Sequence, residues 1–93
     1  MELSEIRVEI DQIDNEIKDL FVKRMDLAEK IVRIKAETGD AIYKPEREKE
    51  IIETLTKDVD PSIKGEYTTV IESILSASKH YQYRRLAELK GDE

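Results

Sequence analysis

The sequence predicts an all-α protein with three helices per chain, a long first helix, and assembly as an intertwined homodimeric helical bundle. Three observations carry this reading. Ile, Leu, Glu and Lys dominate, while aromatic residues supply only 5% of the chain and tryptophan is absent, a composition of long helices rather than sheets. No Pro or Gly interrupts residues 3–38, and apolar side chains recur there at Leu3, Ile6, Ile10, Ile13, Ile17, Leu20, Leu27, Ile31 and Ile34, an alternating three-four spacing. A helix of roughly 35 residues is about 50 Å long, more than the width of a compact globule of 93 residues. Its seam cannot be buried by the remainder of its own chain, and a second copy is the simplest cover.

Glu2 or Ser4 can start the first helix and Gly39 can stop it. Residues 39–44 form a short connector, and Pro45 sits where a first-turn proline opens a second helix, with Glu46 and Glu48 against its positive end. Ile51, Ile52 and Leu55 supply the apolar stripe of that helix. Asp60-Pro61-Ser62 repeats the start signal, with Asp60 as side-chain cap. The third helix carries Ile63, Tyr67, Val70, Ile71, Ile74 and Leu75, resumes its stripe at Leu86 and Leu89, and has Gly91 as a stop before an acidic end. Gly65 weakens its first turn by about 1 kcal/mol. With no long linker, low-complexity stretch or internal repeat, residues 1–93 read as a single domain.

Composition narrows the function classes. The chain has no cysteine and His80 is its one histidine, so neither a disulfide framework nor a Cys- or His-rich metal site is expected. A charged fraction of 41% with a formal net charge of −6 works against an extended nucleic-acid-binding surface. No apolar run approaches a signal segment or a membrane span, so a soluble, cytoplasmic protein is expected. His80 reads as a surface or partly packed residue, and Tyr43, Tyr81 and Tyr83 as packing residues with wet hydroxyls. Arg84 and Arg85 suit the last turns of a helix.

The first seam predicts an apolar side chain at position 24, and Arg24 stands there. A guanidinium in a seam is costly unless an anion meets it, whether a protein carboxylate or an anionic ligand. Lys35 lies about 20° from Arg24 around the helix, so the two cations share a face. The third helix breaks in the same way, since the stripe through Ile74 continues into Ser78 and then Gln82. Two stripes that turn polar at matching heights suggest a lined pocket between helices, the usual ligand site of a bundle. Arg47, at the start of the second helix, can reach the same end. The plainer alternative has Arg24 snorkelling to solvent or pairing with Asp26 or Glu29, and Lys35 as an ordinary surface lysine.

These residues resemble the all-helical chorismate mutases over nearly the whole chain. The run from Leu3 to Asp14, with Arg7 seven residues before Asp14, is similar to the opening of that family; Arg24-Met25-Asp26-Leu27-Ala28 and Ile34-Lys35 to its middle section; Pro45-Glu46-Arg47-Glu48 to its second helix; and Ser78-Lys79-His80-Tyr81-Gln82 to its closing Ser-x-x-x-Gln. The resemblance implies a cofactor-free conversion of chorismate to prephenate in phenylalanine and tyrosine biosynthesis. It implies that Arg24 and Arg47, with Arg7, hold the substrate carboxylates, that Lys35 and Gln82 bond the ether oxygen, that Glu48 accepts from the ring hydroxyl, and that Ser78 lines the carboxylate side. It also implies that Arg7 comes from the other subunit, and geometry agrees, because Arg7 and Arg24 are about 25 Å apart along one helix. Many members carry an aspartate near the second-helix proline where this chain has Lys44, which removes a helix cap and adds a cation at the pocket mouth.

The implied reaction is pericyclic, needing neither a nucleophile nor a proton transfer, so orientation and electrostatics must carry it. Planar arginine forks suit two carboxylates. Two alternatives stand beside this reading: an isochorismate pyruvate lyase on the same fold, which Glu48 disfavours, and a non-catalytic helical dimerisation or regulatory module, which leaves Arg24, Lys35, Ser78 and Gln82 unexplained together.

Overall fold

The computed structural model describes residues 2–91. These form three helices, α1 (Leu3–Thr38), α2 (Pro45–Thr56) and α3 (Pro61–Gly91), with no strand among the described residues. Helix α1 runs 36 residues without a break. Glu2 precedes it in extended conformation with no side-chain cap, and the N–H groups of Glu5 and Ile6 reach the Glu2 carbonyl at 3.1 and 3.2 Å. Gly39 ends it at φ 76°, a left-handed conformation that only glycine takes without strain, and its N–H donates to the Lys35 carbonyl at 2.8 Å.

Helix α2 begins at Pro45 with Lys44 as an N-cap whose side chain makes no capping bond, and Glu46 and Glu48 occupy its first turn. At the start of α3, Asp60 Oδ1 accepts the Ser62 N–H at 2.8 Å, the cap anticipated from the sequence. Gly91 is helical and takes no left-handed conformation, and the acidic end expected beyond it, Asp92-Glu93, lies outside the described residues. No helix among the described residues is long and apolar enough to cross a membrane.

Helix α3 packs against both α1 and α2. The buried apolar set is small: Ala28 and Val32 from α1, Ile42 from the connector, Ile71 and Leu75 from α3. The seam expected to be buried on α1 is not covered within the chain. Every residue from Leu3 to Leu20 is exposed, and so are Leu27, Ile31 and Ile34. Contact with α3 uses Ala28 and Val32 instead, a neighbouring ridge whose small residues let the helices approach. On α3 the buried ridge is Ile71, Leu75, Ser78 and Gln82, while Ile63 and Val70 are exposed because they lie about 80 to 100° round the helix from Ile71.

The uncovered seam shows in the dimensions. The chain measures 58 × 27 × 14 Å with a radius of gyration of 16.8 Å, where a compact domain of this length has about 12 Å. Its accessible surface is 7312 Å², against about 5,500 Å² for a compact monomer of the same mass. An isolated helical half of this kind is marginal in water.

One polar cluster ties α1 to α3. Arg85 Nε and Nη2 fork onto the two Glu29 oxygens at 2.8 and 3.1 Å, and the Tyr81 hydroxyl donates to Glu29 Oε1 at 2.6 Å. Arg33 pairs with the same carboxylate from its own helix. Tyr81 is thus not simply a packing residue with a wet hydroxyl, and Arg85 bridges two helices rather than just favouring a helix end. The Arg85 and Tyr81 bonds hold the Glu29 carboxyl down at about 2, against an opposing effect of burial. The bond to Glu29 also raises the Tyr81 hydroxyl above its usual range.

A depressed folded-state value means that this contribution is fully present above the ordinary glutamate value of 4.5 and is lost as pH falls through about 2. Glu29→Gln is expected to cost about 1 to 2 kcal/mol at neutral pH. Thermal denaturation at fixed protein concentration checks this: the gap from wild type should hold down to pH 4.5 and close towards about 2.

Candidate active site

The C-terminal half of α1, the connector, the first turns of α2 and the second half of α3 enclose a cleft of about 290 Å³, near the lower end of the sizes that take small ligands. Arg24, Ala28, Ile31 and Lys35 supply the α1 wall, residues that share a face because successive steps of three and four return to one side of the helix. Leu75, Ser78 and Gln82 supply the α3 wall, Arg47, Glu48 and Ile51 that of α2, and Ile42 and Lys44 close the connector side. The polar break expected in the third stripe is present: Ser78 and Gln82 are 6% and 7% exposed. Gln82 Nε2 donates to Ser78 Oγ at 3.1 Å, and Gln82 Oε1 is buried with no hydrogen-bond partner among the described residues.

The cations are held in different ways. Lys35 Nζ donates to the Ile42 carbonyl at 3.1 Å, which fixes it at the cleft while leaving two of its three hydrogens free. Lys44 pairs with Asp40 at 2.6 Å, and Arg47 with Glu50 at 2.7 Å; both pairs are exposed, and such pairs yield easily to a better anion. No carboxylate pairs with Arg24 among the described residues. The alternative in which Glu29 neutralises Arg24 does not hold, because Glu29 is engaged by Arg85, Arg33 and Tyr81.

Lys79 is the charged lining residue that the sequence reading did not assign to the site. It meets Glu48 Oε1 at 3.1 Å and lies 4.5 Å over the Tyr43 ring, so Tyr43 is more than a packing residue with a wet hydroxyl. The signal was available, since Lys79 sits between Ser78 and Gln82 and flanks their ridge on a helical wheel. With Lys79, the lining holds five cations and one carboxylate, Glu48, among the described residues, in a chain whose net charge is −6. Such a cleft selects anions. Arg7 is exposed on the N-terminal half of α1 and does not line the cleft of its own chain.

An unpaired guanidinium in an otherwise apolar stripe lowers stability. Arg24→Leu is therefore expected to leave thermal stability unchanged or raise it by up to about 1 kcal/mol, while weakening the binding of a dianionic ligand. Thermal melts with and without such a ligand check both halves, and a marked loss of stability without ligand would show Arg24 to be structural.

A model of the family described as chorismate mutase type II matches residues 6–83. A chorismate mutase of Methanocaldococcus jannaschii is 46% identical over 55 residues, 59% of this chain and 56% of that protein. A bifunctional chorismate mutase/prephenate dehydratase of Aquifex aeolicus is 46% identical over 56 residues, 60% of this chain and 16% of that protein. A T-protein of Haemophilus influenzae is 33% identical over 73 residues, 78% of this chain and 19% of that protein. The chain thus spans just over half of the first relative and less than a fifth of the other two. No solved structure gives a significant match. The family match takes in all of α2, the connector before it and most of α1 and α3, the segments that carry every cleft residue described above, and this chain belongs to the chorismate mutase type II family.

Proposed function

We propose that residues 1–93 act as a single cytoplasmic chorismate mutase domain, working as a homodimer that converts chorismate to prephenate. The observation that carries the reading is the pairing of Arg24 and Lys35 on one face of α1 with buried Ser78 and Gln82 on α3, across a cleft in which cations outnumber carboxylates. A small dicarboxylate with an ether oxygen between its acidic groups matches that distribution. The names of the relatives, which include chorismate mutases, point the same way.

In the rearrangement the ether C–O bond breaks as a new C–C bond forms, with no net proton movement. The chain has to select the compact substrate conformer and stabilise charge on the ether oxygen. Arg24 and Arg47 take the carboxylates, Arg47 exchanging its exposed partner Glu50 for substrate. Lys35 brings a full charge to the ether oxygen while the Ile42 carbonyl positions it, and Gln82 brings its second amide hydrogen, the first being held by Ser78. Glu48 accepts from the ring hydroxyl. Lys44 adds positive potential at the mouth.

Dimerisation is supported by the uncovered seam and by roughly 1,800 Å² of surface beyond that of a compact monomer. Two α1 helices laid along each other would cover Leu3, Ile6, Ile10, Ile13 and Ile17, and would bring Arg7 of each chain to the cleft of its partner.

Loss of chorismate absorbance with purified protein tests the activity, with prephenate as product. Release of pyruvate from isochorismate instead would mark a lyase, and no turnover of either would mark a binding module. Gln82→Glu is the sharper probe of mechanism. A glutamate there donates only when protonated, so turnover should fall about a hundred- to a thousandfold at neutral pH and recover partly on acidification. Gln82→Ala should stay low at every pH, and full activity of Gln82→Glu at neutral pH would remove Gln82 from the ether oxygen.

A further inference from the structure

Among the described residues, Glu48 is the one carboxylate in a cleft lined by five cations. Left to itself, a flexible glutamate there would settle onto Arg24, Lys35 or Arg47 and compete with an incoming anion for them. It does not. Lys79 reaches across from α3 and takes Glu48 Oε1 at 3.1 Å, and both side chains are mostly shielded, 31% and 21% exposed. The lysine is itself anchored, with its ammonium 4.5 Å over the Tyr43 ring on the connector, a contact that strengthens when the cation is partly desolvated. Three segments, α3, α2 and the connector, thus meet at one ammonium group.

We propose that Lys79 is a positioning residue of this site. Its ammonium holds one oxygen of Glu48 away from the substrate-binding cations and leaves the other free to accept from the ring hydroxyl. The proposal rests on the mutase reading above and adds a residue to it. Lys79 acts through Glu48 rather than on the reacting atoms. Its removal releases Glu48 into the cleft, where the carboxylate blocks the substrate's anionic groups and loses its aim at the hydroxyl. Both KM and kcat should respond, KM through the competition and kcat through the lost orientation.

A double-mutant cycle on the full chain, read as kcat/KM for chorismate together with thermal midpoints, tests this. Lys79→Ala is expected to lower kcat/KM about tenfold, and Lys79→Arg, which keeps the charge, to recover at least about a third of wild type. In a Glu48→Gln background, Lys79→Ala should cost less than about twofold, because the carboxylate it restrains is gone. Glutamine keeps an acceptor oxygen, so the residual rate is measurable. Lys79→Met retains the packing over Tyr43 and should repeat the alanine result, which covers the case of a poorly folded alanine variant. Equal losses in both backgrounds, or no loss in wild type, would overturn the proposal. A wild-type chain that leaves chorismate unchanged would remove the mutase reading and this one together, whereas an active wild type with additive losses would remove only this one.

Discussion

The dominant constraint on this chain is the reach of α1. A helix of 36 residues with an apolar seam along its length meets only as much of its own chain as α3 can supply, and α3 is occupied with the C-terminal half. The N-terminal half, exposed from Leu3 to Leu20, has no intrachain reason to be ordered. The homodimer proposed above would supply the missing surface, because a second α1 matches a self-complementary seam. Cleft geometry depends on the same division. Because Ala28 and Val32 take up the contact with α3, Arg24 and Lys35 are left beside that contact, facing the space between the helices.

Charge in the site runs against charge in the chain. A net −6 keeps the surface acidic while five cations converge on one cleft. Placing them there is unfavourable, and the chain offsets this in three ways: a backbone carbonyl for Lys35, exposed and weak partners for Lys44 and Arg47, and a shielded pair for Lys79. Arg24 has none of these. An anion arriving in the cleft would therefore give Arg24 a partner without displacing another, which suits the carboxylate-binding role proposed for it. Strong ion pairing is kept elsewhere, at Glu29, where Arg85 and Tyr81 fix α3 against α1 and so set the height of Gln82 on the cleft wall.

Helix order and ends were legible because they depend on local chemistry: Gly39 as a stop, Pro45 and Pro61 as starts, Asp60 as a cap. The cleft was legible from polar residues at apolar positions, and Arg24, Lys35, Ser78 and Gln82 do converge. What periodicity cannot supply is the rotation of one helix about its axis against another. Ile63 and Val70 fit the third stripe as well as Ile71 does, yet packing turns Ile71 inward and leaves them outside. Long-range polar pairing was equally hidden. Glu29 with Arg85 and Glu48 with Lys79 join residues far apart in the chain, and nothing local to any of the four marks its partner.

The proposed completion of each cleft by Arg7 of a second chain is tested most directly by mixing two variants, each expected to be inactive alone. An Arg7→Ala chain lacks what it should give its partner, and an Arg24→Ala chain lacks what its own cleft needs. Under conditions of subunit exchange, random pairing makes half of the dimers mixed, each with one intact site, so activity should return to about a quarter of wild type. No recovery on mixing, with both variants folded and dimeric, would contradict the shared site.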